Sequence, residues 1–163
     1  MHEILLIISA GIHLFAAVIW IGGIFFILFV AFPSARKILE QPGPLISDLS
    51  KRFVPLANIS LLLILVTGIL MSLSSHTPSE IASLDSMWSQ TLSFKIIIAL
   101  IMTCIHFYRG LVLTPGITKL TSEGVHSEQV SRLRKLSLNL DKVNLLFGAT
   151  VLLITGMLYA YRG

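Results

Sequence analysis

Residues 4–32 read ILLIISAGIHLFAAVIWIGGIFFILFVAF and contain no Asp, Glu, Lys or Arg. A helix crosses the hydrocarbon layer with about 20 such residues, and this run exceeds that length. It does not alternate apolar and polar residues, as the strands of a membrane barrel do. The sequence therefore predicts a membrane-spanning helix. Within it lie His13, then Trp20, then Gly22 and Gly23. A histidine set in hydrocarbon is costly, and it is kept for a partner on another helix or for a ligand.

Three further apolar runs follow, at about 53–73, 88–113 and 143–161, the one at 88–113 holding Lys95 and Arg109. The expected fold class is all-α: an integral membrane four-helix bundle forming a single membrane domain over 1–163. The composition agrees, with 55% hydrophobic and 12% charged residues; soluble domains carry about 25% charged residues. The N-terminus lacks a basic leader, carries Glu3, and has too long an apolar run for a cleaved signal, so span one is read as retained. Its small residues Ala10, Gly11, Ala16, Ala17, Gly22 and Gly23 suit a central packing helix. Cys104 is alone, which leaves no intramolecular disulfide.

The charges set an expected topology. Arg36, Lys37, Lys51 and Arg52 lie between spans one and two. Arg109, Lys119, Arg132, Arg134, Lys135 and Lys142 lie between spans three and four, while 74–87 has Glu80 and Asp85 and no Lys or Arg. The positive-inside rule then puts both termini outside and the basic loops in the cytoplasm. A multi-pass protein of the inner (plasma) membrane is expected, with membrane lipid as partner and homo-oligomerisation left open. The basic balance is used up by topology, and no nucleic acid motif accompanies it.

Punctuation is read as follows. Gln41-Pro42-Gly43-Pro44 breaks the first basic loop, Asp48 caps the helix that follows, and Pro115-Gly116 ends the third helix. Residues 127–136 form a basic amphipathic lead-in to span four. LVTGIL (65–70) and LITGML (153–158), each preceded by an asparagine, Asn58 or Asn144, echo one another faintly; a duplicated two-helix unit and chance are both open.

For chemistry, depth and face are the guides. At about 1.5 Å per residue, His13 lies roughly 13 Å into span one and Lys95 roughly 10 Å into span three. They are layer-mates on this count, whereas His106 lies roughly 16 Å deeper than Lys95. At 100° per residue, Lys95, Ala99, Met102 and His106 share one stripe, with Arg109 nearby, and His13, Ala17 and Trp20 share another. Two cofactors suit such stripes. Haem b would take axial ligation from His13, Lys95 or His106, with Trp20 along the ring, Arg52 or Arg109 at the propionates, and glycines making room. Copper would take Met102 and His106, with His13 a further metal-ligand candidate. The plain alternatives are a histidine bonding its neighbour helix, a snorkelling Lys95, a packing methionine, and a structural subunit of a larger complex. Asp141 is expected to pair with Lys or Arg. His2, His76 and His126 are given no role. No nucleophile–base pair, phosphate loop or paired carboxylates are present.

HLFAAVIWIGG resembles the first-helix motif of HemJ-type protoporphyrinogen oxidases and of the CopD copper-resistance membrane domain. KRFVPLANISLLLILVTGILMSL is similar to their second helix, and FKIIIALIMTCIHFYRG places Lys95 where both keep a lysine. The fourth helix reads Asn139-Leu-Asp-Lys-Val, without the Asn-Glu-x-Pro entry of the HemJ pattern. The HemJ resemblance implies haem b and oxidation of a porphyrinogen, with His13 and Lys95 catalytic and electrons passing to a quinone or redox partner protein. The CopD resemblance implies copper transport or handling.

Overall fold

The structure, a computed structural model, describes residues 2–75, 86–122 and 128–160, without the side chains of His2, Ser75 and residues 158–160. His76, Glu80, Asp85 and His126 lie outside the described residues. In chain order the elements are α1 (His2–Phe26), a π-turn at Ile27–Ala31, α2 (Phe32–Ile38), α3 (Gly43–Ser75), α4 (Met87–Tyr108), a second π-turn at Arg109–Leu113, α5 (Thr114–Ser122) and α6 (Glu128–Ala160). Four helical stretches are long and apolar enough to cross a membrane: 3–38, 43–74, 87–122 and 128–157. The protein is all-α and multi-pass. Large apolar side chains lie open on every stretch, among them Ile7, Leu62, Leu111 and Leu153. In water that would be untenable; against lipid tails it costs nothing.

Helix ends depart from the sequence reading for definable reasons. Pro115 does not end the third helix. The chain widens into a π-turn, in which the Thr114 N–H bonds the Arg109 carbonyl, and proline then enters at the second position of α5. There its missing N–H is not needed. Pro33 enters α2 in the same way, behind the bond from the Phe32 N–H to the Ile27 carbonyl. Asp48 caps nothing: α3 begins at Gly43, and Asp48 lies inside it, paired with Arg52 at i+4. The break at 39–42 is present, and the lead-in at 128–136 runs without interruption into α6.

The chain forms two compact units, 1–97 and 98–163. In the first, α1 packs antiparallel on α3, because Gly23 meets Phe53 at one end and His13 meets Thr67 at the other. Small buried residues, Ala16 and Ala17 on α1 and Ala57 and Ser60 on α3, let the backbones approach. Gly23 has a specific job, since any Cβ there would collide with the Phe53 ring, whereas Gly22 faces open space. We expect Gly23→Ala to cost about 1–3 kcal/mol through overpacking, read as a lowered melting temperature in detergent. Adding Phe53→Leu should recover most of the loss, and an unchanged melt for the single variant would mean that the ring swings aside freely.

Several features recur at one spacing, which is not that of the echo. The π-turns open at Ile27 and Arg109, and Pro33 and Pro115 follow at the same spacing of 82 residues. The buried residues Ala16, Trp20 and Ile24 recur at that spacing as Ile98, Met102 and His106. α3 and α6 are both 33 residues long. The echoed segments behave differently from one another: Thr67 is buried, while Thr155 is exposed and bonds only its own helix at Val151. Asn144 is buried, while Asn58 is exposed.

Candidate functional site

The first unit holds His13. Its Nδ1 lies 2.9 Å from Thr67 Oγ1, and a hydroxyl has one proton to give. Thr67 donates that proton to the Leu63 carbonyl one turn back. The hydroxyl must therefore accept from His13, so Nδ1 carries the proton and Nε2 keeps its lone pair. This is the arrangement of a ligating histidine, whose second nitrogen is tied down by a neighbour. Gly68 lies beside the ring, its Cα hydrogen facing Cε1. Lys95, half-buried on the same unit's part of α4, is within electrostatic reach of the imidazole. Trp20 and Ala17 are buried on the His13 face.

The second unit holds a polar row between α4, its π-turn and α6. Met102 and His106 are buried one turn apart, at 3% and 8% exposure. Asn144 on α6 is fully buried and donates from Nδ2 to the Met102 carbonyl at 3.3 Å. Arg109 forms an ion pair with Asp141 and donates from Nε to Ser137 Oγ at 3.2 Å. Met102 meets Asn144, and Arg109 further along meets Asp141 and Ser137, which makes the packing antiparallel. Cys104 points away and is exposed.

The residues singled out from sequence thus fall in different places. His13, Lys95 and Trp20 belong to the first unit, and Met102, His106 and Arg109 to the second. Asp141 pairs with a basic residue, as its position suggested. Arg52 is exposed and pairs with Asp48 one turn back at 3.0 Å. Thr67 and Asn144 were in view only as parts of the echo; Ser137 was not in view. Their meaning lies in which residue of another helix they face, and spacing along one chain does not carry that.

A family model for copper resistance protein D matches residues 47–158. The chain belongs to the copper resistance protein D family. No curated protein and no solved structure matches it. The match runs from α3 to near the end of α6, so it takes in the whole polar row of Met102, His106, Asp141 and Asn144. His13 lies before the matched stretch. For this copper resistance protein D chain, the described residues hold no cluster of three His, Cys, Asp or Glu fit for a metal ion.

Proposed function

We propose that the protein handles copper within the membrane, with Met102 and His106 as a ligand pair for Cu(I). The observation that carries this reading is the burial of a thioether and an imidazole one turn apart on an apolar helix, inside the family-matched stretch. Soft monovalent copper suits that pair. Charge favours this station over His13. Arg109, one turn beyond His106, is compensated by Asp141, whereas Lys95 stands near His13 and opposes a bare cation there. Copper is cargo in this reading. The purified protein should retain copper by metal analysis, and Met102→Leu/His106→Gln should lose it. A double variant that keeps the full copper content overturns the reading.

A second reading rests on the fixed tautomer of His13. A free Nε2 suits an axial position on haem b, and Lys95 suits a propionate. The rest of the cradle fits poorly: the space at Gly23 is filled by Phe53, and Arg109 is tied to Asp141. When bound, haem would supply one-electron chemistry, such as oxidation of a porphyrinogen with electrons leaving to a quinone or redox partner. In that role His13 would hold the iron and Lys95 would orient the ring. A Soret band and a reduced α band after haem-replete expression support this second reading; their absence sinks it.

A further inference from the structure

We propose that Asn144 supplies an amide oxygen to the Met102–His106 pair, making a three-donor copper site between α4 and α6 of the second unit. The site rests on the copper reading and completes its ligand set. Asn144 has no exposed surface, and a fully buried carboxamide needs partners for its polar atoms. Its Nδ2 is engaged with the Met102 carbonyl. Its Oδ1 has no hydrogen-bond partner among the described residues. Turning the amide over does not help, because Oδ1 would then face the Met102 carbonyl, acceptor against acceptor. The oxygen is thus left with lone pairs for something other than the protein's own described groups.

Helix geometry sets the height at which that carboxamide stands. In an α-helix the Met102 carbonyl accepts from the backbone N–H of His106, so it lies between the turns that carry those two side chains. A carboxamide bonded to it is held at their level. One turn further on, the Arg109–Asp141 pair and the Arg109–Ser137 bond tie the same two helices together. They fix the register that keeps Asn144 opposite Met102, and they leave no net charge beside the site. A thioether, an imidazole nitrogen and a weaker neutral oxygen form a donor set that copper accepts.

The test uses the full chain purified in detergent, with Cu(I) as the probe in competition with bicinchoninate, a chromophoric Cu(I) chelator. Asn144→Leu removes both the oxygen and the Nδ2 donor. Asn144→Asp keeps an oxygen, gives up the amide donor and adds a carboxylate charge. We expect Asn144→Leu to weaken Cu(I) binding on the order of tenfold, and Asn144→Asp to bind as tightly as wild type or more so. If both variants fall equally, Asn144 acts only through its bond to Met102 and the proposal is overturned. It is also overturned if neither variant changes affinity. A wild-type chain that takes up no Cu(I) ends the copper reading and this site with it. If wild type binds, Met102→Leu loses the ion and Asn144→Leu keeps it, the copper reading stands and only the role of Asn144 fails. Should Asn144→Leu not fold, by melting in the absence of copper, Asn144→Ala takes its place in the comparison.

Discussion

Arg109→Met is expected to destabilise the protein by about 3–5 kcal/mol. The change removes the cation and leaves Asp141 buried, with 11% of its side chain exposed. A carboxylate in that position has lost its hydration and now loses its partner as well. Ser137 also loses the Nε–H that it accepts. The double variant Arg109→Met/Asp141→Leu should recover most of the loss, because a buried pair replaced as a unit leaves no stranded charge. Chemical denaturation in detergent reads both variants. A single variant as stable as wild type would mean that water or a lipid headgroup reaches Asp141 and that the pair does not hold α6 in place. The exposed pairs offer the contrast: Arg52 with Asp48 and Arg132 with Glu128 sit at i and i+4 with most of each side chain in contact with solvent, where such pairs contribute about 0.3–0.5 kcal/mol.

The other large effect is expected at His13. In haem-replete protein that shows a pigment, His13→Ala should abolish the Soret band, and Thr67→Val should weaken retention of the pigment about 10–100-fold, the usual consequence of losing the group that orients a ligating histidine. Thr67→Val keeps shape and volume but removes the acceptor of the Nδ1 proton. It carries a second, cofactor-independent signature: a part-buried N–H left without its acceptor costs about 1–3 kcal/mol, visible in the melt of colourless protein. A full spectrum in His13→Ala would show that the iron is held elsewhere. A Thr67→Val chain with unchanged stability would show that the Ile64 backbone, which already bonds the imidazole, suffices as its acceptor.

Much of the architecture is legible in the sequence because lipid imposes a crude requirement. A charge-free run of adequate length has few options besides a spanning helix. The stripe of Met102 and His106 is legible for a similar reason: 100° per residue puts them on one face, and both are buried. That Asp141 pairs with a basic residue follows from the scarcity of acids near the spans; that the residue is Arg109 is seen only in the fold. Helix ends are another matter. Pro115 reads as a stop, yet a π-turn takes the chain past it, and nothing local distinguishes a stop from a widened turn. Asp48 reads as a cap, yet the helix had already begun at Gly43. The repeated LVTGIL and LITGML motif draws attention to identical letters, while the equivalent positions are those that share burial and bulge register, such as Trp20 and Met102. Thr67 and Asn144 became informative only when the helix opposite each was known.

The paired π-turns also bear on how this chain can change length. A π-turn closes its hydrogen bond over five residues where an α-turn uses four, so each outer helix carries one spare residue. Removing it from 27–31 or 109–113 would restore an ordinary turn and leave the flanking faces pointing as they do now. Removing a residue anywhere between His13 and Trp20 would instead rotate the imidazole away from Thr67. Within the described membrane-spanning helices, tolerance of single-residue deletions should therefore be greatest in two short windows, each just ahead of a proline.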